Sequence, residues 1–369
     1  MELSQTWQEQ QASQSNGADF RSDTVTQPTP EMLRTVFEVS PTDIFNEKPS
    51  SFEQYMARVT GKEDALLCIS GTMANQIALR SHLTQPPMAI LADERSHILT
   101  MECGGIASLA GAMVQPVRAS NGVHLTLEDI RRSIVLDDPD DIYGCPTRVV
   151  EFENPHMGAV FPLHDMQAIS EFVRPLGIRV HLDGARLWEA VVAGAGTLEE
   201  MCGPADSVSL CFTKGLCAPI GSILVGNAAF IRQARKVRKG IGGAMRQPGM
   251  AIAMAMGGVV GVFGQAEGHG SESMLLKGHR LARELAHVWT GAGGKVTMPV
   301  QTNMVCLNLD ALGISEEDWV NGGAERGLML RESKIVTHCQ IEPNAVMALK
   351  QYMIDTLAKT KEVAHHHSF

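Results

Sequence analysis

Ser209-Leu210-Cys211-Phe212-Thr213-Lys214-Gly215-Leu216-Cys217-Ala218-Pro219-Ile220-Gly221-Ser222 is the stretch on which the fold turns. Apolar residues lead up to a Thr-Lys pair, and small residues and a proline follow. Lys214 therefore sits where a buried strand gives way to a tight turn. An ammonium is costly to bury, so a lysine placed there is paired, neutral or used covalently.

A complementary strand end lies upstream, in Arg179-Val180-His181-Leu182-Asp183-Gly184-Ala185-Arg186. It reads as a strand that closes on Asp183 and turns at Gly184. An aspartate at the carboxyl end of a parallel strand points into the crevice where α/β proteins bind ligands. The covalent use of a lysine is a Schiff base with an aldehyde. Pyridoxal 5'-phosphate (PLP) is such an aldehyde, and its enzymes set an acid against the pyridinium nitrogen. A Thr-Lys-Gly run alone is an ordinary surface turn, and Asp-Gly alone an ordinary turn. The two together, in this order, point to PLP.

Outward from this pair, Ala65-Leu66-Leu67-Cys68-Ile69 is a short apolar strand, and Ser70-Gly71-Thr72-Met73-Ala74-Asn75-Gln76 opens a helix. Strand, small polar turn and helix N-terminus make a phosphate site from converging N–H groups and the helix dipole. An ordinary N-cap by Ser70 or Thr72 reads the same residues without a ligand. Ala89-Ile90-Leu91-Ala92 is a further strand, with His97 just past its end, and Val149 to Asn154 another. Strands and helices alternate from about 65 to 225 in the βαβ pattern of a mostly parallel sheet. The glycine-rich Gly240 to Gly243, with Arg246 just beyond, offers a second set of phosphate contacts. Asp19 to Pro30 reads as an extended arm, stopped from being helical by its prolines. Ser273 to Trp289, strands within Val296 to Asp310 and Gly327 to Thr337, and a helix from Asn344 to Lys359 form a smaller α+β domain. The expected division is a flexible tail over 1–18, a large domain over 19–265, and a small domain over 266–369.

The chain has 369 residues, 44% hydrophobic and 20% charged, which is the balance of a soluble globular protein. A net charge of −10 argues against nucleic acid or an anionic membrane as the main partner. No apolar run is long enough to span a membrane. Met1 to Ala18 lacks the apolar core of a secretory signal. Eight cysteines without metal-ligand spacing read as buried thiols of a reducing, cytoplasmic compartment, with no metal expected. His365-His366-His367 reads as incidental.

These motifs together resemble the threonine aldolase group of the fold type I, aspartate-aminotransferase-like PLP enzymes. The carriers are Phe20-Arg21-Ser22-Asp23-Thr24-Val25-Thr26, Ser70-Gly71-Thr72-Met73-Ala74-Asn75, His181-Leu182-Asp183-Gly184-Ala185-Arg186-Leu187, Thr213-Lys214-Gly215 and Gly242-Gly243-Ala244-Met245-Arg246-Gln247. The resemblance implies Lys214 as the Schiff-base lysine and Asp183 as the pyridinium partner. It implies Gly71, Thr72 and Arg246 as phosphate binders and His97 as the ring-stacking histidine. Ser22 and Arg186 are implied to hold the substrate carboxylate. A homotetramer with sites shared between subunits is also implied.

Three departures bear on the reaction. Tyr143 falls where aldolases carry a histidine for the substrate β-hydroxyl, Phe45 where the family has tyrosine, and Lys334 where it has a carboxylate-binding arginine. Retro-aldol cleavage of threonine needs a base of near-neutral pKa, which a phenol of pKa about 10 supplies poorly. Racemisation needs acid–base groups on two faces of Cα, which Lys214 and a Tyr143 of lowered pKa can provide. The resemblance extends to a small group of fungal alanine racemases. On the sequence, racemisation of alanine is placed first, threonine aldol cleavage second, and a non-catalytic PLP-fold protein third.

Overall fold

The computed structural model describes residues 16–38, 50–264 and 273–366, with side chains to residue 360. Phe45, residues 1–15 of the expected tail, the expected boundary at 265/266 and the side chains of His365 to His367 lie outside the described residues. Two compact units emerge, Gln27–Ser273 and a second one made of Met274–Phe369 with the residues up to Thr26.

The larger unit is built on seven strands: β1 (Asp64–Cys68), β2 (Ala89–Asp93), β3 (Met113–Val117), β4 (Thr147–Glu153), β5 (Arg179–Asp183), β6 (Ser207–Cys211) and β7 (Ser222–Gly226). Their order across the sheet is β1-β7-β6-β5-β4-β2-β3. The β2–β3, β2–β4, β4–β5 and β5–β6 pairs are parallel, and β7 runs antiparallel to both its neighbours. The expected mostly parallel sheet is therefore present. Strands β2, β6 and β7 are buried at every position, as strands covered on both faces must be.

The Gly71–His82 helix packs with the Ala228–Gly240 helix over β1 and β7, through Ala74, Ile77, Ala78, Leu224, Phe230 and Ile231. Its N-terminus is capped by Ser70, whose Oγ accepts the Met73 N–H. Two glycines here are steric necessities. A Cβ on Gly71 would lie 2.6 Å from Cys211 Sγ, and one on Gly184 would lie 2.9 Å from the Ser209 carbonyl oxygen.

The smaller unit holds the Met274–Gly291 helix, an antiparallel pair β8 (Met304–Cys306) and β9 (Lys334–Val336), and the closing Pro343–His366 helix. Trp289, Trp319 and Tyr352 centre its core, and the Tyr352 hydroxyl donates to the Trp319 carbonyl at 2.8 Å. Both strands are shorter than the sequence suggests. Pro299 has no N–H to donate to a ladder. Glu332 turns the chain at φ 53°, just before β9.

The division differs from the expected one in two places. The units part at Ser273/Met274, and residues 19–26 group with the C-terminal part. The reason is backbone pairing: Phe20 N–H donates to Met329 O, and Val336 N–H donates to Phe20 O, both at 2.9 Å. The Phe20 ring is fully buried in the same core. Residues 16–18 are likewise tied in, since Glu342 N–H donates to Gly17 O at 2.8 Å. Among the described residues, no helix is long and apolar enough to cross a membrane.

Candidate active site

Side chains alternate faces along a strand, so residues paired in register stand side by side. Glu151 and Glu153 of β4 pair with His181 and Asp183 of β5, which pair with Ser207 and Ser209 of β6. One face of the sheet thus carries six polar residues in two rows, all six of them at most about one-fifth exposed. Asp183 closes its strand at the carboxyl edge of the parallel sheet, where an α/β site is expected.

Asn75, buried on the Gly71–His82 helix, faces these rows. Its Nδ2 donates to Asp183 Oδ2 at 2.6 Å and to Glu102 Oε1 at 3.0 Å. Glu102 also accepts from Gln76 Nε2 at 2.6 Å and bonds His97 Nδ1 at 2.8 Å. His97 begins a short helix just past β2, and its own N–H donates to Glu153 Oε2 at 3.1 Å. The bond to Glu102 raises the His97 pKa above its ordinary value, against the opposing effect of burial. Asp183 is pushed up by burial and by Glu153, and drawn back by Lys214 and by the Asn75 amide. Burial drives Glu151 well above the carboxylate range, and neither of its oxygens has a hydrogen-bond partner among the described residues. Ligand atoms of His97, Glu102 and Asp183 all lie within 4.8 Å of one another.

Lys214 follows β6 by three residues, on a turn in which its carbonyl accepts the Cys217 N–H at 2.9 Å. Cys217 holds φ at 63°, a left-handed conformation uncommon outside glycine, so this turn is locally strained. Arg186 ends the loop after Asp183, at the N-cap of the Leu187–Val192 helix. Gly71 and Thr72 are the first two residues of their helix, where N–H groups lack intrahelical acceptors. Arg246 is exposed on the loop that follows Gly243. That loop reaches the same helix start, because a Cβ on Gly243 would lie 2.7 Å from Met73 Cε.

These residues fit the expected cofactor. A buried acid stands at the strand edge, a lysine on the neighbouring turn, an imidazole beside the acid, and a helix start next to the lysine strand. The last contact is direct, through the missing Cβ of Gly71 against Cys211. PLP requires an acid for its ring nitrogen, an amine for its aldehyde and donors for its phosphate.

Tyr143 is not brought to this cluster within the chain. It is 91% exposed, and its N–H donates to Asp141 Oδ1 at 2.8 Å. It precedes β4, whose opposite end carries Glu153, so it lies at the amino edge of the parallel strands. Nearby bonds hold the loop there: Ala89 N–H, at the start of β2, donates to Pro146 O at 2.9 Å. Ser22 and Lys334 belong to the smaller unit. Ser22 caps a short 3-10 turn and accepts from Thr24 N–H and Oγ1, while Lys334 opens β9.

Sequence reasoning missed Glu102, Glu153, His181 and Ser209 as parts of the cluster. Glu153, His181 and Ser209 lie inside stretches read as strands, and Glu102 directly precedes the Cys103-Gly104-Gly105 turn. The available signal was a charged or polar residue at a strand end or beside a glycine pair.

A family model described as beta-eliminating lyase matches residues 19–312. The chain is 44% identical to the aldolase vrtJ of Penicillium aethiopicum, over 92% of this chain and 86% of that one. It is 41% identical to the alanine racemase TOXG of Cochliobolus carbonum, over 92% and 87%. It is 39% identical to a low-specificity L-threonine aldolase of Candida albicans, over 94% and 92%. An aspartate aminotransferase double mutant of Thermus thermophilus shares the fold with a TM-score of 0.68, at 12% identity over 96% and 95% of the two chains.

Proposed function

We propose, for a chain that belongs to the beta-eliminating lyase family and within it to the threonine aldolase group, that it cleaves a small β-hydroxy amino acid by a retro-aldol reaction. The chain is a PLP-dependent enzyme of fold type I. The observation that carries the proposal is the His97–Glu102 pair, at 2.8 Å. That bond raises the His97 pKa above its ordinary value, and an imidazole is the side chain most often used as a base near neutral pH.

Bound PLP supplies the covalent hold on the amino group and the sink for electrons released at Cα. Lys214 Nζ would be the anchoring amine. Asp183 would stand at the ring nitrogen, and Gly71, Thr72 and Arg246 would hold the phosphate. Arg186 grips the α-carboxylate with its planar fork. The carboxylate roles given to Ser22 and Lys334 by the resemblance are retained in this reading. His97 takes the proton of the β-hydroxyl while the Cα–Cβ bond breaks. The aldehyde leaves, the bond's electron pair stays with Cα, and a proton added there completes glycine.

The sequence-based preference for racemisation rested on Tyr143. Within one chain that residue stands at the wrong edge of the sheet, so the order of the two readings is reversed here. Racemisation of alanine is kept as the second reading because of the 41% identity to an alanine racemase. It requires Tyr143 to come from another copy of the chain.

One assay separates the two. Purified protein with PLP is given L-threonine, L-allo-threonine or L-alanine, and glycine, aldehyde and both alanine enantiomers are measured. Glycine from either threonine, with alanine left in the L form, is expected. D-alanine without glycine would replace the first reading by the second.

A further inference from the structure

Beyond the residues placed at the cofactor, a line of hydrogen bonds leads from Asp183 through the sheet. Asn75 Oδ1 accepts from Ser209 Oγ at 2.7 Å and meets His181 Nε2 at 3.1 Å. His181 Nδ1 meets Ser207 Oγ at 2.9 Å, and Ser207 Oγ meets His82 Nε2 at 2.8 Å. The direction of every bond in the line follows from the inventory of donors and acceptors.

Asn75 makes four hydrogen bonds, its full capacity. Its amide nitrogen must face Glu102 and Asp183, because the reverse orientation would set its oxygen against two carboxylates. Its oxygen then faces His181 Nε2, which must carry a hydrogen. Burial lowers the His181 pKa to about 3, so the ring is neutral at ordinary pH and its Nδ1 is an acceptor. Ser207 gives its one hydrogen to Nδ1 and must accept from His82 Nε2–H. Burial also lowers His82 to about 3, which keeps that ring neutral. All these donors point one way, from His82 to Ser207, His181, Asn75 and finally the carboxylate of Asp183.

We propose that His181 and Ser207 are positioning residues that hold Asp183 in its ionised form, by fixing Asn75 with its amide N–H toward the carboxylate. The proposal rests on the reading that Asp183 faces the ring nitrogen of PLP. The other charged groups around Asp183 are Glu153, Glu102, Lys214 and His97. Two of these, Glu153 and Glu102, disfavour a second negative charge, and burial adds to that. A chain of aligned dipoles ending on the carboxylate offsets both effects, and each bond in such a chain polarises the next. The sequence pattern supplies the parts: His181 stands two residues before Asp183 on β5, Ser207 two before Ser209 on β6, so all four share one face.

The test reads the tautomer directly. Protein labelled with 15N-histidine is examined by NMR with and without PLP, and His181 is assigned from its disappearance in His181→Gln. A neutral ring protonated at Nε2 from about pH 6 to about pH 8 is expected in both states. Protonation at Nδ1, or an imidazolium, would overturn the proposal, since Asn75 would then be reversed or unfixed. In Ser207→Ala the His181 ring should become a mixture of tautomers, and PLP should bind about three- to tenfold more weakly, the worth of about one hydrogen bond. Asp183→Asn serves as the reference and should weaken PLP binding and shift the pH dependence of its absorbance. Unchanged PLP binding in Ser207→Ala beside a clear effect in Asp183→Asn overturns the proposal alone. Unchanged binding and absorbance in Asp183→Asn as well overturns the placement of Asp183 at the ring nitrogen, and the proposal with it.

Discussion

Gly71→Ala is the change whose cost follows most directly from the geometry. The added Cβ would stand 2.6 Å from Cys211 Sγ, about 1 Å inside normal contact. Cys211 is 1% exposed and ends β6, so its short side chain has nowhere to swing. Either the helix start or the end of the lysine strand must move. Overpacking of this kind costs about 1–3 kcal/mol. For a unit of this size, that lowers the melting temperature by about 2–12 °C. Where the helix start is the part that moves, the proposed phosphate site moves with it, and PLP affinity should fall by about tenfold for each 1.4 kcal/mol borne by the loaded protein alone. Thermal melts with and without PLP, and a PLP titration, measure both effects. Gly71→Ala/Cys211→Ala should recover most of the loss, because it removes the sulfur in the way. A single variant that melts and binds PLP like the parent would refute the close approach. A double variant no better than the single one would refute Cys211 as the obstacle.

Three further outcomes are expected. Lys214→Ala should lose any borohydride-reducible link to PLP while melting like the parent, and a surviving link would mean another lysine is used. Asp183→Asn should lower turnover far more than PLP occupancy, because the ring nitrogen loses its anionic partner; near-normal turnover would assign that role elsewhere. Glu102→Gln should act through His97, whose pKa Glu102 raises. A raised folded value means that the pair's contribution to stability is complete below the unfolded value and is lost as pH rises through the folded one. The variant should therefore be destabilised more at about pH 5 than at about pH 9, and its activity should extend to lower pH because His97 sheds its proton earlier. A uniform loss at every pH would point to packing.

The central sheet and the strand ends that carry Lys214 and Asp183 were legible because their signals are local. Lys214 and Asp183 each end an apolar run, and a strand needs only its own residues to announce itself. The helix start at Gly71 was legible for the same reason, as a strand, a serine cap and a helix. Asn75 lay inside a quoted motif, yet its four hydrogen bonds join one helix to two strands and to Glu102, partners far away in sequence. The arm at Phe20 was read as extended, but its partners are at Met329 and Val336, and pairing across that separation leaves no trace in either segment. Glu102 was passed over because a single carboxylate before a glycine pair has no pattern of its own. Its importance comes from being buried among donors.

Tyr143 shows how a resemblance can assign a residue a position along the chain and leave its place in space open. Strand β4 runs from the Tyr143 edge of the sheet to the Glu153 edge, and seven strand residues span about 20 Å. A tyrosine side chain does not bridge that length, so the racemisation reading has Tyr143 act on the site of another copy. The racemisation reading is thereby tied to assembly and predicts the behaviour of mixed oligomers. Tyr143→Phe chains keep Lys214, and Lys214→Ala chains keep Tyr143. Each is inactive alone if both residues are needed. Refolded together as pairs that share sites, about half the pairs are mixed, and one of the two sites in each mixed pair has both residues intact. D-alanine formation should then return to about a quarter of the parent rate. Sites built within a single chain would give none. If Tyr143→Phe alone still produces D-alanine at the parent rate, the phenol takes no part in the reaction, and the second proton of a racemisation must be carried by His97 or by water.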